Sequence, residues 1–225
     1  MTGSTPVIAP SILACDFARL GEEVARVDAA GADWIHCDVM DGRFVENISF
    51  GMPIVEAASR HTRKPLDVHL MITRPDVYFP RFARLARSIT VHVEAEHEVT
   101  KTLASIRQSG LAAGLALSPA TSLASVEPFL GAFDILLVMT VVPGFGGQAF
   151  LPEMLEKVRM AARWRQERGV DFRIEVDGGI TVSTGRASLE AGADILVAGT
   201  SVFKAADAAE EISALRGRGR GRDLG

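Results

Sequence analysis

The 225-residue sequence predicts an α/β protein, a single (β/α)8 TIM barrel over residues 1–215, on three observations. Eight short apolar runs alternate with eight amphipathic stretches along the whole chain. The runs are nearly continuous hydrophobics, as parallel strands buried on both faces must be. No linker interrupts the alternation, and the early Gly-x-Gly-x-x-Gly fingerprint of a doubly wound open sheet is absent.

Taken in order, the strands fall at 7–14, 34–39, 66–72, 89–93, 113–117, 135–141, 172–176 and 195–198. The helices fall at 18–30, 53–60, 77–86, 98–108, 123–130, 152–167, 183–190 and 204–215. Pro53, Pro75 and Pro152 stand at helix entries, where a missing N–H costs little. Gly31, Gly110, Gly169 and Gly192 stand at helix exits, where the chain turns left-handed.

Composition narrows the function class. With 48% hydrophobic and 23% charged residues the chain has ample core for one globular domain. A net charge of −4 gives no electrostatic case for nucleic acid or an anionic membrane as partner. Cys15 and Cys37 lie in apolar runs and read as buried reduced thiols. Residues 1–10 lack the pattern of a secretory signal, and the apolar stretch 135–142 is too short to span a bilayer, so a cytoplasmic location is expected. Arg216, Arg218, Arg220 and Arg222, interleaved with glycine, read as a flexible, solubilising tail over 216–225 rather than an RNA-binding tract.

In a barrel of this type, chemistry belongs at the C-terminal ends of the strands. His36 and Asp38 are two apart on one strand and therefore leave the same face. His69 ends the next strand and Asp177 ends the seventh. Two imidazoles and two carboxylates converging there suit one divalent ion, Zn²⁺, Fe²⁺, Mn²⁺ or Co²⁺, without choosing among them. Such an ion would ease removal of a proton beside a carbonyl by holding the developing enediolate charge. Asp38 and Asp177, on opposite sides of a bound sugar, could take a proton from one face and return one to the other. The open difficulty is how one of two metal-bound carboxyls stays protonated. Glycine-bearing turns after three consecutive strands (Gly144-Phe145-Gly146-Gly147, Gly178-Gly179 and Gly199-Thr200-Ser201) can cradle a phosphate. Met40, Met71 and Met139 stand beside these positions, either as adaptable core or as an aprotic surface against a planar intermediate. His92 and Glu94 share a strand face and read as a barrel-layer pair or as outer supports; His61 and His97 carry no assigned role.

These segments resemble the ribulose-phosphate 3-epimerase family, from Ala9-Pro10-Ser11-Ile12-Leu13 to Ala198-Gly199-Thr200-Ser201-Val202-Phe203. His36-Cys37-Asp38-Val39-Met40-Asp41-Gly42 and Asp67-Val68-His69-Leu70-Met71 are similar to its metal segments. Met139 to Gln148 and Glu175-Val176-Asp177-Gly178-Gly179 are similar to its loop and its second catalytic aspartate. The resemblance implies a ribulose-phosphate-binding barrel that interconverts D-ribulose 5-phosphate and D-xylulose 5-phosphate in the pentose phosphate or reductive pentose cycle. It implies one divalent metal per subunit on His36, Asp38, His69 and Asp177, with Asp38 accepting and Asp177 donating the proton. Ser11, His69, Gly144, Phe145, Gly146, Gly147, Asp177, Gly178, Gly179, Gly199 and Thr200 would contact the sugar phosphate, and a homo-oligomer is implied. Val142 and Ser118 stand where the family usually has Asn, Thr181 likewise, and Cys37 replaces an aliphatic residue.

Two other functions share parts of this pattern. A 3-epimerase of a six-carbon ketose 6-phosphate, such as allulose 6-phosphate, would use the same chemistry. Decarboxylases and aldolases of related barrels resemble one another in an Asp-x-Lys-x-x-Asp segment, whose lysine is missing from Asp38-Val39-Met40-Asp41. A non-catalytic sugar-phosphate-binding barrel would not need the full acid/base set.

Overall fold

The computed structural model describes residues 5–217, and in them all eight strands form one parallel sheet. They are β1 (Val7–Pro10), β2 (Ile35–Met40), β3 (Leu66–Met71), β4 (Ser88–His92), β5 (Ala112–Leu117), β6 (Ile135–Met139), β7 (Arg173–Asp177) and β8 (Ile195–Ala198). Each strand pairs with its sequence neighbour, β1 pairs with β8, and a single Ser11–His36 bridge closes β1 on β2. The helices are α1 (Leu20–Ala29), α2 (Met52–Ser59), α3 (Pro75–Phe82), α4 (Val99–Gln108), α5 (Met154–Glu167), α6 (Val182–Ala191), α7 (Thr200–Phe203) and α8 (Ala208–Leu215).

Two apolar layers follow from strand alternation. Outward-facing residues such as Ile8, Val68, Leu70, Val91, Leu115, Leu136, Val138 and Leu196 are fully buried against the helices in one continuous cluster. Each such side chain contributes about 1.5–3 kcal/mol by leaving water. Inward-facing Ala9, Ile135, Ile195 and Val197 form a separate plug inside the barrel. The opposite inner wall, on β2, β3, β4 and β7, is polar: His36, Asp67, Ser88, Thr90 and Glu175 are all fully buried there. A barrel carrying charge on one inner wall must satisfy it internally.

Three expected elements are shorter or broken, each for a local reason. The run 7–14 is strand only to Pro10; Ser11 then caps a 3-10 turn at Ile12–Ala14 by accepting the Leu13 N–H. The helix expected over 123–130 is two 3-10 turns, Leu123–Ser125 and Glu127–Phe129, because Pro128 has no N–H for a continuing helix. The helix expected over 204–215 forms only from Ala208, as α8: it is started by Asp207, whose carboxylate accepts the N–H groups of Ala209 and Glu210, while the short α7 ends before it at Phe203. The tail expected over 216–225 needs a correction at its first residue. The Arg216 guanidinium donates to Gly31 O and Asp33 Oδ2, both at 2.6 Å, which pins the chain to the base of the barrel. Residues 218–225 of that tail lie outside the described part.

Among the described residues no helix is long and apolar enough to cross a membrane. Cys15 and Cys37 are free and buried, as expected.

Candidate active site

Strand register assembles the site. On β2 and β3, His36 lies beside Asp67, Asp38 beside His69 and Met40 beside Met71. Across the barrel, Met139 of β6 lies beside Asp177 of β7. Four ligating atoms from His36, Asp38, His69 and Asp177 all fall within 4.8 Å of one another. Asp38 is the hub. Its Oδ1 lies 3.1 Å from both His36 Nε2 and His69 Nδ1, and its Oδ2 accepts from Ser11 Oγ at 2.5 Å. Asp177 Oδ2 is 3.9 Å from His69 Nδ1.

Above this cluster opens a cavity of about 440 Å³. Its walls include Ser11, Asp38, Met40, Met71, Met139, Asp177, the Gly144–Gly147 segment, Gly178, Gly179, Gly199 and Thr200. Ser201, Val197, Leu13 and Phe150 also line it. His36 and His69 do not; both are fully buried beneath the floor. His69 has no exposed surface in this structure and meets the cavity through Asp38, whose Oδ1 lies 3.1 Å from its Nδ1.

The glycine-rich rim has a steric basis. At Gly179, with φ +64°, a Cβ would stand 2.5 Å from Phe150 N; at Gly178, with φ +119°, it would stand 2.4 Å from a Val141 methyl carbon. Any side chain there would push the β6 loop off the β7 turn, so glycine is required by packing as well as conformation. Two residues without an expected role shape the loop over the cavity. Asn47 Nδ2 donates to Gly144 O at 2.7 Å, and Gln148 Nε2 donates to the carbonyls of Val142 and Phe145 at 2.6 and 2.8 Å.

Electrostatics separate the two cavity carboxylates. Burial would raise Asp38, but positive His36 and hydrogen bonds from both imidazoles outweigh it and hold Asp38 far below the usual carboxylate range. Burial and the negative charge of Asp38 together push Asp177 up to about 8. His36 is desolvated, yet Asp38 and Asp67 hold it well above an ordinary imidazole. His69 is lowered to about 4, first by burial.

Sequence reasoning passed over the residues that support His36. His36 Nδ1 bonds Asp67 Oδ2 at 2.7 Å, and Ser88 Oγ donates to the other Asp67 oxygen at 2.7 Å. Glu175, 3.7 Å from His36 Nδ1, has no hydrogen-bond partner for either oxygen, and burial and the Asp67 charge raise it well above the usual carboxylate range. Asp67 and Glu175 lie two residues before His69 and Asp177, so period-two reading from the expected ligands would have found both. His92 Nε2 meets His69 Nε2 at 2.9 Å, and His92 Nδ1 meets Glu94 Oε2 at 3.0 Å. His97 Nε2 bonds the His92 carbonyl at 3.0 Å, bracing the end of β4.

The donor set fits a divalent ion. With Asp67 taking His36 Nδ1, the Nε2 atom of His36 is turned toward Asp38 Oδ1, and the two aspartates together offset a 2+ charge. Two imidazole nitrogens and two carboxylate oxygens are the ligands that Zn²⁺, Fe²⁺, Mn²⁺ and Co²⁺ accept.

Fold and site together define the class: a (β/α)8 barrel whose strand ends hold a His₂Asp₂ cluster under a glycine-rimmed cavity. The sequence profile of the ribulose-phosphate 3-epimerase family matches residues 7–203, and the chain belongs to that family. It is 52% identical to the ribulose-phosphate 3-epimerase of Synechocystis sp. over 213 residues, covering 93% of each chain. The enzymes of that name from Bacillus subtilis and Escherichia coli are 47% and 43% identical, each over 93% of this chain and over 98% and 94% of their own. Among solved structures, KGPDC from Streptococcus mutans superimposes with a TM-score of 0.71 at 16% identity, covering 96% and 97% of the two chains. A 3-hexulose-6-phosphate synthase gives 0.63 at 19%, over 96% of this chain and all of its own. At those identities the likeness is one of fold.

Proposed function

We propose that the protein is an isomerase that interconverts D-ribulose 5-phosphate and D-xylulose 5-phosphate by two-base inversion at the third carbon. The observation that carries the mechanism is the placement of two carboxyls, Asp38 and Asp177, on one cavity and in one cluster of ligating atoms. An acceptor and a donor on the same cavity are what inversion requires.

His36, Asp38, His69 and Asp177 would hold one divalent ion. When bound, the ion supplies positive charge against the substrate oxygens on which charge develops as the carbon loses its proton. Asp38 removes the proton from one face, its carboxylate oriented by Ser11 Oγ. Asp177 delivers a proton to the other face, and in the reverse direction the roles exchange. Met40, Met71 and Met139 line the cavity without hydrogen-bond donors, so the planar intermediate meets an aprotic wall that keeps water away. The turns at Gly178-Gly179 and Gly199-Thr200, with the Gly144–Gly147 loop opposite, bind the phosphate through backbone N–H groups. A sugar phosphate as substrate is supported by the names of the relatives and by this glycine-built rim.

The test is a steady-state assay on both candidate ketose phosphates, with metal analysis of the same preparation. Ribulose 5-phosphate should give the higher kcat/KM, and chelation should abolish turnover until a divalent metal is restored. A higher kcat/KM with allulose 6-phosphate overturns the substrate, and full activity in protein shown to be metal-free overturns the ligand set.

A further inference from the structure

The metal ligand His69 does not end the polar chain. Beyond it lie His92 on β4 and Glu94 just past that strand. Four groups, Asp38, His69, His92 and Glu94, are joined by three contacts of 3.1, 2.9 and 3.0 Å. The two rings are within 24° of coplanar, with centroids 5.0 Å apart and their Nε2 atoms 2.9 Å apart. The nitrogens therefore meet end to end, as an N–H···N bond requires.

A proton count follows. Two neutral imidazoles carry two N–H protons, and carboxylates carry none, so three contacts share two protons. One contact must be left without a hydrogen; at 2.9 Å the two Nε2 atoms are too close for facing lone pairs, so the central contact holds a proton and the bare one lies at an end of the chain. If it is the Glu94 end, His69 carries its proton on Nδ1, the nitrogen facing Asp38, and has no lone pair there. If it is the Asp38 end, both protons point outward: His69 Nε2–H donates to His92, and His92 Nδ1–H donates to Glu94. Only the second arrangement leaves His69 Nδ1 bare. Asp38 Oδ1 already faces His36 Nε2 at 3.1 Å and has less need of the proton from His69. Glu94 has a fixed orientation: its Oε1 accepts the Ser118 N–H at 2.7 Å, which leaves Oε2 for His92.

We propose that His92 and Glu94 are positioning residues that hold the His69–His92 pair in the outward tautomer, leaving His69 Nδ1 free to bind the divalent ion. This rests on the metal reading above and extends it to residues that do not touch the ion. Metal binding at His69 then needs no proton expelled from that ring. The distal carboxylate that orients a ligating imidazole is here reached through a second imidazole, whereas His36 reaches Asp67 directly.

Glu94→Gln tests the direction of the chain without changing its shape. The Ser118 N–H needs an acceptor, so the glutamine carbonyl must turn to it and its NH₂ group then faces His92 Nδ1. A donor at that point reverses the chain: His92 moves its proton to Nε2, and His69 to Nδ1. In chelator competition, Glu94→Gln should bind Zn²⁺ about 10–100-fold more weakly than the unchanged protein. In the metal-free proteins, imidazole ¹⁵N NMR should place the His92 proton on Nδ1 in the unchanged chain and on Nε2 in the variant. Unchanged Zn²⁺ affinity in the variant overturns the proposal. So does weakened affinity with both rings in the unchanged tautomer, since the loss is then merely structural. If the unchanged protein takes up no Zn²⁺ at His69, the metal reading fails instead, and the two metal-free spectra still decide the tautomer.

Discussion

Asp38 and Asp177 are the same residue type on the same cavity, and their surroundings drive them to opposite states. Asp38 sits in mid-barrel between two imidazoles with the Ser11 hydroxyl on its second oxygen. Asp177 ends β7 and feels chiefly burial and the charge of Asp38. The chemical difference between base and acid is therefore written in neighbours rather than in the residues themselves.

The strongest way to break this comparison is to remove each carboxylate in turn. Asp177→Asn and Asp38→Asn should each lower kcat by at least ~10²-fold with metal content verified. Solvent deuterium exchange at the third carbon should then split: Asp177→Asn keeps exchange only into D-ribulose 5-phosphate, and Asp38→Asn only into D-xylulose 5-phosphate. Equal exchange of both epimers in either variant would mean that one base serves both faces.

Acidity sharpens it next. Asp177 titrates near 8 in the folded, metal-free chain, whereas an ordinary aspartate titrates near 3.8. A raised carboxyl pKa favours folding fully below the unfolded value and loses that contribution as pH climbs toward the folded one. The Tm of metal-free protein should accordingly fall between about pH 4 and 8 through this group, and Asp177→Asn should flatten that fall. A variant whose Tm tracks the unchanged protein across the range would remove Asp177 as its source. Because the ion must displace the Asp177 proton, metal affinity should rise over the same interval and level off above it.

Smaller effects should follow from the supports. Ser11→Ala removes one hydrogen bond to a charged oxygen, about 1.5–3 kcal/mol, and should cost roughly 10–150-fold in kcat/KM. Val142→Asn, restoring the residue usual in the family, changes a largely exposed side chain whose backbone carbonyl alone is engaged by Gln148. It should alter kcat/KM by no more than about 2-fold, the scale of surface changes. A larger rise would make position 142 a determinant of substrate fit.

Much of this was legible in advance. Alternation of apolar runs and amphipathic stretches put eight strands in the right places, and the strand-end rule selected the four clustered side chains. The misses are local. Pro128 and Asp207 broke expected helices through a missing donor and a capping carboxylate, effects that act on single hydrogen bonds and leave the apolar pattern intact. His97 and Asn47 were passed over because their partners, the His92 carbonyl and Gly144 O, are backbone atoms that carry no sequence signal.

By itself, the sequence determined the barrel, the His-x-Asp pair on one face of β2, and the glycines after the last three strands, because period and local backbone needs are properties of neighbouring residues. Tertiary structure decided which neighbours meet. Register set Asp38 beside His69 and His36 beside Asp67, and barrel closure brought Asp177 to the same point. Protonation followed from those meetings, since the field at a buried carboxyl is summed over groups that lie far apart in the chain and only a few ångströms apart in space.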